Sequence, residues 1–532
     1  MIALKSGNRA RTIRRIFSYT RLNMYSFFVQ SGDAMKTHVG ARRRFLKTGI
    51  GVTVAQCFPG LTAAQASSGP RLEWKQFKTT SQYPAFVNAI ATMRANANQA
   101  SPGSLSYWSN VHVNTCPHGV PYFISWHRGY LYYFEQQLRS VSGNPYLTLP
   151  YWDYYSYATL PTEFTDPAPG NPLYVPRQSS NVYGALSLAP FASAVRNFQR
   201  GKSNAFEPSI EDVHNPVHDL IGGVMTTMQS PLDPIFFLHH ASVDRLTHAW
   251  SQLAGKTMPK SANPYSSTNS DVYWAGNHVY ANGLSIERYK TRIPGWLGTS
   301  YASNAVPTTL PPVPAAAAGR AALLERPPFQ SFRTVAGRRL SSTRRSVSGV
   351  AQVPFDEQSV SVLLRLGKSD AAELARVVAL CRDRGEYDSS VDSSVDSRQM
   401  PGMVKLVFDN LSVGTAAKKG GFFYALYLDM PAVVASQAER EASLIGTLGA
   451  FQIAAAAHHG TPRIEFDVSF LLARQDRVNF GELALSWVRV DGDRPPAGKV
   501  ILANEIRVEL AFAPDDAHML SGDAEDIERQ HL

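Results

Sequence analysis

The chain has 532 residues, 44% of them apolar, enough for a full hydrophobic core and for two domains. Its formal charge of +10 is confined to the N-terminus, where residues 1–66 hold eleven Lys and Arg against the single acid Asp33, while the rest carries 41 basic and 41 acidic residues. That balance gives no electrostatic case for nucleic acid or an anionic membrane as partner, and three cysteines exclude a disulfide framework.

Residues 1–66 read as a leader. Ala41-Arg42-Arg43-Arg44-Phe45-Leu46-Lys47 resembles the twin-arginine export signal, and Ala64-Gln65-Ala66 offers small residues for cleavage before Ser67. The apolar run from Thr48 to Leu61 is shorter than the ~20 residues that a membrane span needs. The expected destination is the periplasm or the medium, with Met35 as an alternative start.

From Leu72 onward the periodicity is helical. Phe86, Ile90 and Met93 mark one amphipathic helix, and a second is expected from about Ile124 to Val141. The Pro-rich stretch from Leu160 to Gln178 reads as loop. Ser209 is the expected N-cap of a third helix, with Asp212 in its first turn. A fourth starts at Asp233-Pro234 and runs to about Leu253. This mainly α domain is assigned to residues 67–305, and residues 306–345 to a Pro-rich and then basic linker. Alternating segments then begin, at Ser359–Leu366, Val404–Phe408, Phe422–Leu428, Ile464–Val468, Leu483–Val490 and Ile506–Phe512. They predict a β-sandwich over 346–514 with one inserted helix at Ala371–Arg382, ahead of an acidic tail at 515–532.

Histidine spacing carries the chemistry. His112, His118 and His127 cluster around Cys116-Pro-His118-Gly, and His214 and His218 stand four apart, so that both project from one helical face. Neutral imidazole suits zinc, copper, iron and nickel, and an all-imidazole set is a good copper host.

These histidines with His240 and Asp244-Arg245 resemble the two copper signatures of the tyrosinase and catechol oxidase family, over about Leu72 to Tyr301. The resemblance implies a four-helix bundle around two copper ions. It assigns His112, His118 and His127 to one copper, and His214, His218 and His240 to the other. His112 lies unusually close to His118, and His239 is the rival of His240. The resemblance also implies a thioether between Cys116 and His118, and a water oriented by Glu211 and Asn215 that accepts the phenol proton. Thr227 takes the position of a bulky Phe found in some catechol oxidases, and Asp219 is placed to influence phenol binding. Asp244 and Asp153 are candidate carboxylates for fixing ring orientation. The implied activity is hydroxylation of monophenols and oxidation of catechols by dioxygen. Catechol or o-aminophenol oxidation alone, or dioxygen carriage of the hemocyanin type, are the alternatives. The C-terminal domain is expected to cover the site, with Phe451 as a candidate lid residue. His458 and His459 are expected at the surface.

Overall fold

The computed structural model describes residues 69–512, apart from 203, 260–271, 314–324, 386–400, 435, 459, 461 and 477. The leader and the acidic tail therefore lie outside the described residues.

The first part is helical, with α1 (Trp74–Phe77), α2 (Gln82–Ala95), α3 (Leu105–Thr115), α4 (Phe123–Ser142), α5 (Thr162–Thr165), α6 (Phe206–Ile221) and α7 (Ile235–Ser251). A small hairpin follows, β1 (Asn277–Ala281) and β2 (Leu284–Glu287). Ala205, and not Ser209, precedes α6. Ser209 lies inside the helix, where its hydroxyl donates to the Ala205 carbonyl. The start of α7 is fixed by Asp233, which accepts from the Ile235 N–H at 3.1 Å while paired with Arg177 at 2.6 Å. No helix among the described residues is long and apolar enough to cross a membrane.

Asp244 and Asp153 do not meet an imidazole that the sequence reading gave them. Asp244 accepts from Arg128 Nε and from the Tyr301 hydroxyl, each at 2.5 Å, and fastens α7 to α4. Arg71, 3.6 Å from Asp244, bonds Glu135 on α4 at 2.8 Å and extends this buried network. Arg245 instead pairs with Asp153 at 3.1 Å. Removing one member of such a dry network leaves an unpaired buried charge, which costs ~3–5 kcal/mol.

The C-terminal domain holds β3 (Arg333–Arg339), β4 (Arg344–Phe355), β5 (Val360–Arg365), β6 (Pro401–Val413), β7 (Phe422–Leu428), β8 (Leu444–Gly449), β9 (Ile464–Asp467), β10 (Glu482–Asp491) and β11 (Ile501–Phe512). Helices α8 (Lys368–Gly385), α9 (Gln437–Ala442), α10 (Ala450–His458) and α11 (Ser469–Arg474) interrupt them. The strands form two antiparallel sheets, ordered β5-β10-β7-β8 and β3-β4-β11-β6-β9. Val353 and Phe355 of one sheet and Leu426 and Trp487 of the other belong to one apolar core, with the Phe355 and Trp487 rings 4.8 Å apart. The linker is shorter than its composition implied, because β3 and the start of β4 occupy residues 333–345 and pair in register, Arg339 with Arg345.

Candidate metal centre

Four helices deliver the histidines: α3 gives His112, α4 His127, α6 His214 and His218, and α7 His240, while His118 comes from the loop between α3 and α4. All six rings are buried. On one side the Nε2 atoms of His214 and His240 lie 3.2 Å apart, and those of His218 and His240 3.4 Å apart. On the other, His112, His118 and His127 gather with Cys116, with one potential ligand atom of each within 4.8 Å of the others. The two groups face each other: the His127 and His240 rings stack at 4.2 Å and those of His118 and His214 at 6.0 Å.

Backbone carbonyls orient three of these six rings, and a side-chain amide a fourth. His112 Nδ1 donates to Met228 O at 2.7 Å, His218 Nδ1 to Met225 O at 2.7 Å, and His127 Nδ1 to Phe123 O at 2.8 Å. His214 Nδ1 donates to the side-chain oxygen of Asn215 at 3.0 Å. A carbonyl can only accept, so each of these Nδ1 atoms holds the proton and each Nε2 presents a lone pair. Burial, reinforced by the neighbouring imidazoles, holds His127, His214, His218 and His240 well below the usual histidine range. These four rings are therefore neutral, and converging lone pairs repel one another until a cation sits between them. This donor set fits copper, with six imidazoles at hand and four of their outer ring nitrogens bonded to fixed acceptors.

His239 also has a ring nitrogen within 4.8 Å of this group, but it is the His240 Nε2 that lies 3.2 and 3.4 Å from those of His214 and His218. His239 stacks on His214, with ring centres 5.0 Å apart and planes 15° apart, and burial pushes it down to about 3. Phe236 packs on His240 at 4.0 Å and against His112 at 5.2 Å, filling the space beneath the rings.

Cys116 is fully buried, and its Sγ lies 3.4 Å from His127 Nε2 and 3.7 Å from His118 Nε2. Burial, and then the charge of Glu211, raises its thiol well above the usual range. Glu211 accepts from the Gly119 N–H at 2.8 Å and is paired with Arg200. Thr227 is a turn residue: its hydroxyl donates to Val224 O and accepts from the Gln229 N–H. It lies between Met225 and Met228, whose carbonyls hold one ligand of each group.

Asp219 is buried on α6 and points at the C-terminal domain. Its Oδ1 accepts from the Phe451 N–H at 2.8 Å, at the first turn of α10. Burial pushes this carboxyl up to about 8, against the pull of the Phe451 and Ala450 N–H groups. A Cβ on Gly449 would lie 1.9 Å from Asp219 Oδ2, so only glycine lets the chain approach this closely. Asp212, burial-raised to about 7, accepts from the Thr447 backbone. Phe451 follows directly, and its ring lies on His218 at 4.0 Å and 15°, with His118 at 5.2 Å and His214 at 5.7 Å. His458, at the other end of α10, is part-buried and bonds Val113 O on α3.

The fold and site define a protein with two facing three-imidazole metal positions. Residues 73–194 and 177–253 match the common central domain of tyrosinase. That stretch carries the central domain of the tyrosinase family, whose dicopper centre assigns two copper ions to the two histidine groups. The tyrosinase HcTyr1 of Hahella sp. (strain CCB-MM4) is 30% identical across 30% of this chain and 45% of its own length. The tyrosinase of Streptomyces glaucescens is 31% identical across 25% of this chain and 64% of its own length. Hemocyanin 1 of Megathura crenulata is 31% identical across 31% of this chain and 6% of its own length. The chain thus matches less than two thirds of each. Among solved structures, latent apple tyrosinase covers 84% of this chain and 98% of its own, at 17% identity and a TM-score of 0.47.

Proposed function

We propose that this chain oxidises phenols with dioxygen, hydroxylating monophenols to catechols and oxidising catechols to o-quinones. The observation that carries the reading is the pair of facing trios of buried imidazoles, three of whose rings are oriented by backbone carbonyls. A copper pair held this way supplies two electrons to dioxygen and takes two from the phenol. The protein's own part is to fix the rings, exclude water and move the phenol proton. Asn215 holds the His214 ring from the position directly after it. Glu211, three residues before His214, retains lone pairs beyond those given to Gly119 and Arg200, because a carboxylate offers about four acceptor positions. A water between Glu211 and Asn215 takes the phenol proton in this reading. Turnover of a monophenol and its matching catechol tests it. Glu211→Gln should lower hydroxylation by about a hundredfold, within the range of a lost general base, and leave most catechol turnover. Equal losses on both substrates reduce Glu211 to scaffolding.

Phe451 gives the second reading its one support, since a ring seated on His218 admits dioxygen more readily than a phenol. A reversible carrier saturates when dioxygen uptake is followed with catechol present, and an enzyme keeps consuming it. In the leading reading Phe451 is a lid, and Asp219 is its latch rather than a substrate contact.

Cys116 and His118 are proposed to join through a thioether, which would immobilise that imidazole. One S–H and one ring C–H are lost and a C–S bond forms, with dioxygen taking the two electrons and two protons. Peptide mass mapping should find a linked peptide two hydrogens lighter that resists thiol alkylation. Because Sγ is as near His127 as His118, fragmentation must place the bond. An alkylatable Cys116 ends the idea. Export through the twin-arginine route remains the proposal for the leader, read out by the N-terminal mass of the exported protein.

A further inference from the structure

Helix α6 carries two of the copper ligands, and it also holds the scaffold of the opposite group. Glu207 and Glu211 stand one helical turn apart on α6, so both carboxylates share a face. Glu211 Oε1 accepts from Gly119 N–H at 2.8 Å, the residue directly after His118. Glu207 Oε1 accepts from Ile124 N–H at 3.4 Å in the first turn of α4, three residues before His127. The Tyr273 hydroxyl donates to the same oxygen at 3.2 Å. Arg200 closes the unit: its backbone N–H donates to Glu207 Oε2 at 3.0 Å, and its guanidinium pairs with Glu211.

The start of α4 explains why an external acceptor matters. Its N-cap residue, Tyr122, sits at φ 79°, a left-handed conformation that is strained for an aromatic residue, and offers no side-chain cap. The first N–H groups of a helix lack intrahelical partners, and a negative charge beside them is favourable. Glu207, with no exposure at all, fills that role from α6.

We propose that Glu207 and Arg200 are positioning residues that hold the His112–His118–His127 copper in register with the His214–His218–His240 copper through α6. Neither touches a ligand ring. They act on the loop that carries His118 and on the turn that carries His127, and so set the spacing between the metals. Partners beyond the ligands of a metal site typically change its affinity by about 10–100-fold.

The test is titration of the copper-free full-length chain with copper, read as two binding constants. Glu207→Leu removes the acceptor, and one copper should then bind about 10–100-fold more weakly while the other is unchanged. Glu207→Gln keeps the volume and one acceptor, and should recover part of the loss. Repeating both substitutions in a His240→Ala chain, where the His112 group alone remains whole, should weaken the copper still bound. Ser209→Ala, on the same helix but bonded only to Ala205, controls for general damage to α6. Wild-type binding of both coppers in the Gln and Leu variants overturns the proposal. Equal weakening of both coppers overturns it too, since that is what a loosened fold produces. If the Leu chain does not fold, the Gln chain decides alone by the same two readings.

Discussion

His240→Ala should lower the copper content from two ions per chain to one and abolish phenol oxidation, whereas His239→Phe should keep both. The two residues are adjacent in sequence and equally buried. Only His240 brings its Nε2 within 3.2 and 3.4 Å of the matching atoms of His214 and His218. Deleting it leaves two ligands where three converge. Changes one layer further out already cost about 10–100-fold in metal affinity, so a lost ligand should cost more than a hundredfold. His239 stacks on His214 as a flat ring, a role phenylalanine can fill at similar volume. Copper analysis beside an oxygen-electrode assay checks both variants. A copper-depleted His239→Phe chain with a fully loaded His240→Ala chain would reverse the assignment of the sixth ligand.

The histidines were legible because a side-chain ligand must be written in the sequence at a spacing that the helix makes useful. What orients them was not. Met225, Met228 and Phe123 act through backbone carbonyls, which every residue possesses, so no residue type betrays the role. Asp244 shows the opposite failure: a carboxylate one turn after His240 looked placed for an imidazole, yet Arg128, Arg71 and Tyr301 from distant segments claim it. Glu207 carried no spacing signal, since its partner Ile124 lies 83 residues away in sequence, and Arg200 acts only through Glu207 and Glu211.

The same reasoning separates the strands that were found from those that were missed. Phe422–Leu428 is buried throughout and rich in aromatics, and its limits match the sequence reading. Strand β3 is exposed along nearly its whole length, so it shows no apolar alternation and reads as polar linker. Strand β8, Leu-Ile-Gly-Thr-Leu-Gly, was hidden by its two glycines. Gly449 passes close to α6, where Asp219 Oδ2 would lie 1.9 Å from its Cβ, and a Cβ on Gly446 would meet Phe466 Cε1 at 2.6 Å and Asp212 Oδ1 at 2.9 Å.

That close passage leads to the second large effect: Phe451→Ala should raise turnover of a small phenol about tenfold or more. The Phe451 ring is fully buried against His218, His118 and His214, where under the proposed function it stands in the way of an entering phenol. Truncating a buried Phe typically removes about 3–5 kcal/mol of packing, and only about 1.4 kcal/mol against the closed state gives a tenfold larger open fraction. The latch should behave likewise. Asp219→Ala removes the acceptor of the Phe451 N–H and leaves the first turn of α10 uncapped, a loss of about 1 kcal/mol. Asp219→Asn keeps an oxygen in the same place and should retain most of the restraint. Combined with Phe451→Ala, Asp219→Ala should add little, because both act on one contact. A carboxylate that served the substrate directly predicts a different pattern, with Asn and Ala equally damaging whether Phe451 is present or not. Initial rates with one monophenol and one catechol, normalised to copper content, distinguish the two. Unchanged or lower turnover in fully copper-loaded Phe451→Ala would show that the ring is packing and not a lid.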